Sequence, residues 1–202
     1  MKDPTAHRKS ERTRQFIIEK VAPIFNRKGY AGTSLSDLTE ATGLTKGAIY
    51  GNFKNKDEVA AEAFKYNLST IANVLIADLA EASTPVEKLR TIPAFHRKIY
   101  GDITAMGGCP ILNTATDADD THPQLRQLVQ EAVERTRQNI KNFVGQGIEQ
   151  GQIKKETDGD KIAGLVIALV EGGILVSRLA GGRKYLDNAL DQVDAMINEI
   201  CL

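Results

Sequence analysis

Apolar residues recur at helical spacing through most of the chain, and helix-capping residues separate the runs. The first run predicts a helix that stops at Gly29. Ser34 and Asp37 have the spacing of a capping box, which predicts a short second helix that ends at Gly43. The apolar positions of the first helix are Phe16, Ile17, Val21, Ile24 and Phe25.

Two further start signals follow closely. Thr45 can cap a short third helix in which Ile49 and Phe53 are four residues apart on one face. Asn55 with Glu58 opens a long fourth helix. Three short helices before a long one suggest a helix-turn-helix unit.

The remaining sequence continues in helical segments. Pro93 is expected to kink or split its helix, and residues 107–123 form the least regular stretch. We find no hairpin turn chemistry and no internal repeat, so the predicted fold is all-α with about nine helices. The later start signals are Thr84 with Pro85 and Glu87, Pro123, Thr157 with Asp160, and Tyr185.

Composition narrows the class of protein. The 202 residues are 42% hydrophobic and 26% charged, as in ordinary globular domains. Two cysteines are too few for a disulfide framework, and the N-terminus lacks the apolar segment of a secretory signal. The longest apolar stretch, 162–176, is interrupted by Glu171 and is too short for a membrane span. We therefore expect a cytoplasmic protein without a membrane partner.

Charge is distributed unevenly along the chain. Residues 1–60 hold eleven Lys and Arg against seven Asp and Glu, whereas the other residues hold fifteen against nineteen. A basic front end on an acidic body suggests a head that binds a polyanion. A solvated basic face is the alternative that charge alone leaves open.

The segment GLTKGAIYGNF at 43–53 has three glycines in an otherwise helical context. Gly43 suits the end of the second helix, where a left-handed residue needs no Cβ. Gly47 and Gly51 are expected on the side of the third helix away from its apolar face. Their missing side chains would let the helix backbone come close to a DNA groove or a phosphate.

With its caps, glycines and Tyr-x-x-Phe-x-x-Lys spacing, the segment 33–59 resembles the signature of the TetR family of transcriptional regulators. The preceding FNRKGYAGTS fits the same family, and the match covers about 50 residues. Asn52 and Gly51 depart from the residues that many members carry, which affects the base preference. The resemblance implies a helix-turn-helix DNA-binding domain at 1–56 and a helical ligand-binding and dimerisation domain at 57–202.

The resemblance also implies roles for individual residues on a palindromic DNA operator. The start of the second helix would bind phosphate, the third helix would enter the major groove, and two lysines would bind phosphate. A disordered basic arm of Arg8, Lys9, Arg12 and Arg14 could add affinity that does not depend on sequence. The implied DNA-binding residues are Thr33, Ser34, Thr45, Lys46, Gly47, Ala48, Tyr50, Asn52, Lys54 and Lys56.

Family members pair through their last two helices, and here 158–180 holds several small residues together with a large apolar surface. We therefore expect a homodimer, with intrachain core as the alternative. The body is expected to bind a mainly apolar inducer that releases the DNA. Candidate lining residues, for most of which core packing is an equal interpretation, are Phe95, Ile99, Ile103, Met106, Cys109, Leu112, Leu128, Phe143, Leu169 and Ile174.

Alternative functions stay open from the sequence. Related regulators carry a Gly-Cys at the place of Cys109, and in some the cysteine senses oxidants or electrophiles. The protein could also be a helical small-molecule carrier or enzyme with a vestigial head, or a dimerisation scaffold without a pocket. No hydrolase, P-loop or dinucleotide motif is present, so we expect no enzyme and no cofactor. A metal site at Asp117, Asp119, Asp120 and His122 is the weaker interpretation of residues that suit a helix start.

Overall fold

The computed structural model describes residues 4–118 and 122–202, with side chains from residue 10 onward. Over these ranges the regular elements are nine α-helices, as the sequence predicts. Arg8, Lys9, Asp119 and Asp120 carry predictions that lie outside the described side chains. The helices are α1 Pro4–Gly32, α2 Leu35–Thr42, α3 Lys46–Tyr50, α4 Lys56–Ala80, α5 Pro85–Ala105, α6 Pro110–Ala118, α7 Pro123–Glu149, α8 Gly159–Leu179 and α9 Lys184–Ile200.

The chain forms two compact units, of residues 1–70 with 110–129, and of residues 71–109 with 130–202. The predicted boundary after residue 56 falls inside the first unit, at the start of α4. As a division between DNA-binding and ligand-binding functions, that boundary stays a prediction.

The first unit is organised around a core shared by its short helices. Leu38 of α2, Ile49 of α3 and Val59 of α4 are fully buried, together with Ile17 and Val21 of α1. Since α2 and α3 are only eight and five residues long, they can be stable only when their apolar faces pack against α1 and α4.

The predicted caps of this unit are confirmed. Ser34 and Asp37 form a reciprocal capping box at the start of α2, and Gly43 ends that helix with a left-handed φ of 67°. The Thr45 hydroxyl accepts from the Ala48 N–H at the start of α3. Local residue spacing therefore sets where the helices of the head begin and end.

The first helix changes direction at Gly29, where the sequence predicts its end. Gly29 has φ 72° and ψ 177°, a backbone conformation that only glycine adopts readily. A Cβ built on Gly29 would lie 2.8 Å from the carboxylate of Asp117. The backbone conformation therefore favours glycine at this position, and a Cβ would in addition force the Asp117 carboxylate to shift.

Two predicted details of the second unit need correction. Pro93 lies inside α5, which continues without a split from Pro85 to Ala105. The N-cap of α8 is Asp158 rather than Thr157, because the Asp158 carboxylate accepts from the N–H groups of Asp160 and Lys161. A carboxylate favours the positive end of the helix dipole more than a hydroxyl does.

The core of the second unit is built on α8 and α9, with α5 against α9. Leu186, Leu190 and Val193 of α9 are fully buried. A Cβ on Gly173 of α8 would come within 3.1 Å of Leu186, so this glycine permits close packing within the chain. On the polar side, Arg97 of α5 binds two aspartates of α9, Asp191 and Asp194.

By length and composition α8 could also cross a membrane. The core helix of a globular protein meets the same criterion, and one face of α8 is buried against α9 and α5. We therefore attribute its composition to packing in the second unit.

Gly29→Ala should destabilise the first unit by roughly 1–3 kcal/mol, because alanine would strain both the backbone and the contact with Asp117. Gly32→Ala is the matched control, since its Cβ would make only an ordinary 3.5 Å contact with Lys28. Urea unfolding of both variants measures the difference. Equal stability of the two variants would contradict the assigned strain.

Candidate nucleic-acid interface

The exposed face of the third helix carries the predicted base-reading residues. Thr45, Lys46 and Gly47 are exposed and Ala48 is half-buried. The Thr45 hydroxyl accepts a bond from the backbone and can still donate its own hydrogen. This edge of α3 therefore offers a hydroxyl, an ammonium and a methyl group, which are the kinds of group that read base edges.

The two glycines beside this edge are in different situations. The nearest atom to a Cβ on Gly47 would be the Thr45 hydroxyl, 4.0 Å away, so packing within the described chain gives no reason for a glycine. Gly51 is the C-cap of α3 and has an ordinary right-handed φ of −72°. The predicted close approach of the backbone to DNA therefore rests on Gly47.

At the start of α2 the two predicted phosphate ligands differ in exposure. Ser34 is exposed, although its hydroxyl donates to Asp37 within the capping box. Thr33 is 1% exposed, and its hydroxyl donates to the Gly29 carbonyl at 2.7 Å. The Thr33 side chain is thus committed to the loop, and its expected contact with phosphate is not supported.

The two lysines expected to bind phosphate also differ. Lys54 is exposed. Lys56 is half-buried, donates to the Tyr30 carbonyl at 2.6 Å, and lies 4.2 Å from the centre of the Tyr30 ring. Lys54 is therefore available to a phosphate, whereas Lys56 joins the start of α4 to the loop after α1.

Asn52 and Arg14 hold the end of α3 in place. The Asn52 amide donates to the Ala48 carbonyl at 2.9 Å and accepts from Ser10. Arg14 donates to the Asn52 carbonyl and to Glu58, with its guanidinium 4.2 Å from the Phe53 ring centre. The prediction of a disordered arm is therefore wrong for Arg14, which is a structural clamp, and Arg12 lies on the same helix.

Tyr50 is half-buried against the core of the first unit. This placement fits packing within the head, the alternative to its predicted DNA contact. The Tyr50 contact with DNA stays a prediction.

Tyr30 joins three parts of the first unit, a role that the sequence did not indicate. Its hydroxyl donates to Asp57 of α4 and its backbone N–H donates to Asp117 of α6. The edge of the His122 ring packs on it at 4.4 Å between centroids. The bond to Asp57, followed by desolvation, raises the pKa of Tyr30 to about 12.

The predicted metal ligands have other roles in the described chain. The Nδ1 atom of His122 accepts from the Leu125 N–H, which places His122 at the cap of α7 as expected. Asp117 binds the Tyr30 backbone. Within 4–118 and 122–202, no three His, Cys, Asp or Glu side chains gather as metal ligands.

The predicted ligand-binding residues divide between the units, with Leu112 and Leu128 in the first and the others in the second. Five are buried and five are half-buried, and their role stays a prediction. A cavity of about 20 Å³ in the first unit, beside Tyr30, has room for one water and is lined by none of them. The buried residues are Phe95, Ile99, Ile103, Cys109 and Ile174, and the half-buried ones are Met106, Leu112, Leu128, Phe143 and Leu169.

Cys109 is 8% exposed, and its thiol donates to Glu171 of α8 at 3.1 Å. Burial raises the pKa of Glu171. The Cys109 thiol is therefore mostly shielded from solvent and bonded to an acid, as a small core residue can be. Its predicted sensing role stays a prediction.

Taken together, the fold and the exposed edge of α3 define a helical DNA-binding protein with a helix-turn-helix head. Two family models match the chain, "Bacterial regulatory proteins, tetR family" over 17–63 and "Tetracyclin repressor-like, C-terminal domain" over 85–193. The chain belongs to the TetR family of bacterial regulators. It is a DNA-binding transcriptional regulator and not an enzyme.

Similar solved structures agree over nearly the whole chain. A TetR-family regulator from Cytophaga hutchinsonii is 46% identical with a TM-score of 0.91, covering 96% of this chain and 97% of that one. One from Chloroflexus aurantiacus is 35% identical with a TM-score of 0.91, covering 96% and 98%. The repressor DhaR of Mycobacterium sp. strain GP1 is 25% identical, with 89% of both chains covered.

Tyr30 should titrate at about pH 12 in an ultraviolet absorbance titration. Because its folded pKa of about 12 lies above the ordinary value of 10, its contribution to stability is complete below pH 10. That contribution should be lost as the pH rises from about 10 to 12.

In the ultraviolet titration, Tyr30→Phe should remove the absorbance change near pH 12. Tyr185→Phe, which removes an exposed phenol, is the control and should retain it. Persistence of this absorbance change in Tyr30→Phe would contradict the assignment.

Proposed function

We propose that this protein represses transcription as a homodimer on a palindromic operator and leaves the DNA when a small molecule binds. The main support for this proposal is that Thr45, Lys46 and Gly47 form an exposed edge of α3, while Ile49 on its opposite side is buried in the core. Each α3 would enter a major groove, with half-sites one helical turn apart, roughly 34 Å. The protein would act in the cytoplasm, where it reaches DNA.

The contacts of the head suggest a division of labour. Thr45, Lys46 and Ala48 would read bases, while Lys54 and Ser34 would bind phosphate. The backbone that carries these groups would be held in place by the side chains of Asn52, Lys56 and the buried Thr33. The support for this assignment is that the readers are exposed or half-buried, whereas the supporting side chains bind backbone carbonyls.

The inducer would bind in the second unit, among the apolar residues of α5 and α8. Induced release is typical of TetR regulators. Binding there would favour a dimer whose heads no longer match the operator spacing, and DNA affinity would fall by the same coupling free energy.

Dimer formation is expected of the family, whose regulators act on operators as dimers. One face of α8 is exposed and apolar, with Leu165, Leu175, Val176 and Leu179 between 40% and 81% exposed. No described atom lies within 4 Å of a Cβ on Gly172, which is on this face. Because these apolar residues recur every three to four positions, they form a continuous stripe along α8. The α8 helix of a second copy could pack against this stripe.

Lys54→Ala should weaken binding to all duplexes by a similar factor and reduce the salt slope of log K by about 1, because one phosphate contact is lost. Lys65→Ala is the control, as Lys65 is an exposed lysine of α4 with no predicted contact to DNA.

Lys46→Ala should instead lower the ratio of specific to non-specific affinity. Fluorescence anisotropy on a selected and a scrambled duplex measures these effects. A purely uniform loss in Lys46→Ala would refute base reading by Lys46.

Gly172→Glu should convert the dimer into monomers, because it would bury unpaired charges at the interface. Gly101→Glu is the matched control, since Gly101 is also an exposed helical glycine with no described atom within 4 Å of its Cβ position. Sedimentation gives the assembly state, and DNA affinity should fall with dimer loss. A Gly172→Glu protein that is dimeric and binds DNA normally would exclude this face.

A further inference from the structure

At the Gly29 kink of α1 the main helical run ends, and it leaves backbone groups that it cannot satisfy itself. A helix that ends in a left-handed glycine usually turns the following N–H groups back onto its own last carbonyls. Here ψ at Gly29 is 177°, far from the left-handed helical value, so the next N–H is directed elsewhere. The Tyr30 N–H instead donates to the Asp117 carboxylate.

The partners of this helix end come from α6. Asn113 donates to the carbonyl of Asn26 at 2.9 Å, and Asp117 accepts from Tyr30. Asn113 and Asp117 are four residues apart and therefore share one face of α6. This face supplies one donor and one acceptor to α1, each from a position 87 residues away in sequence. In effect, α6 caps α1.

The fit at this contact depends on the shape of both partners. The space that a Cβ of residue 29 would occupy is taken by the Asp117 carboxylate. Gly29 and Asp117 therefore form a complementary pair, which we term the α1–α6 clasp.

The clasp fixes the segment 29–34, which consists of the last turn of α1 and the two residues that lead into α2. This segment is also held by Thr33, which donates to the Gly29 carbonyl, and by Lys56, which donates to the Tyr30 carbonyl. It then reaches Ser34, the N-cap of α2 and a proposed phosphate ligand. Of these three contacts, only the one made by Asp117 comes from α6.

We propose that Asp117 is a positioning residue for DNA binding, because its carboxylate holds the segment 29–34 in the conformation that presents the start of α2 to a phosphate. This inference rests on the proposed DNA-binding function. It assigns to α6 a direct role in the geometry of the head.

The test compares three variants of the full-length protein. Asp117→Ala removes the acceptor, and Asp117→Asn keeps an oxygen at the same distance from the backbone. Thr116→Ala is the control on the same helix, because the Thr116 hydroxyl binds only carbonyls of α6 among the contacts described. Binding is measured on a duplex that the wild-type protein has selected from a randomised pool.

Asp117→Ala should bind this duplex roughly 10-fold more weakly, the scale of one charge-assisted hydrogen bond. Hydrogen exchange of the Tyr30 amide should accelerate, and Asp117→Asn should restore much of both properties. Thr116→Ala should match the wild type. Wild-type affinity in Asp117→Ala, or weaker binding without faster exchange at Tyr30, would overturn the proposal.

A double-mutant cycle with Ser34→Ala separates positioning from general destabilisation. If the clasp positions Ser34, the loss caused by Ser34→Ala should shrink in the Asp117→Ala background, or in the Asp117→Ser background if Asp117→Ala does not fold. Additive losses would overturn the proposal. A wild-type protein that selects no duplex would instead refute the proposed function.

Discussion

A helix of five residues cannot be stable alone in water, and the proposed DNA-reading surface of this protein lies on such a helix. The stability of α3 comes from its surroundings: Ile49 is fully buried, Phe53 just after it is 2% exposed, and Thr45 caps its start. Arg14 binds the carbonyl of Asn52 behind its end. The position of Lys46, the proposed base reader, is therefore set by the core of the whole first unit.

This constraint explains which parts of the head could be predicted from sequence. The Ser34–Asp37 capping box and the Gly43 stop depend on residues three to nine positions apart, so their spacing alone identifies them. The roles of Lys56 and Arg14 depend on partners 26 to 44 residues away, which spacing does not reveal. A cation near a motif looks the same in sequence whether it binds a phosphate or a backbone carbonyl.

The same limit applies to α8, whose apolar residues surround the helix. From sequence its small residues look equivalent, and all suit a close approach between helices. In the structure Gly173 faces Leu186 of α9, whereas Gly172 faces away from any described atom. Of these adjacent glycines, Gly173 allows a close contact within the chain, whereas Gly172 lies on an exposed face of α8. The position of α9 is what distinguishes the two. The predicted ligand residues are ambiguous for a similar reason, because an apolar side chain that lines a pocket has the same sequence signal as one that fills the core.

The charges of the head show why a structural lysine can still favour DNA binding. Lys28 pairs with Asp37 at 2.5 Å, so the two charges nearly cancel at a distance. Lys56 instead binds a neutral carbonyl and an aromatic ring, and only the neighbouring Asp57 carboxylate offsets part of its charge. At physiological salt a charge is felt over about 8 Å, further than a hydrogen bond reaches. In the proposed complex Lys56 would therefore support the last turn of α1 by contact and add to the positive field of the head, whereas Lys54 would bind phosphate directly.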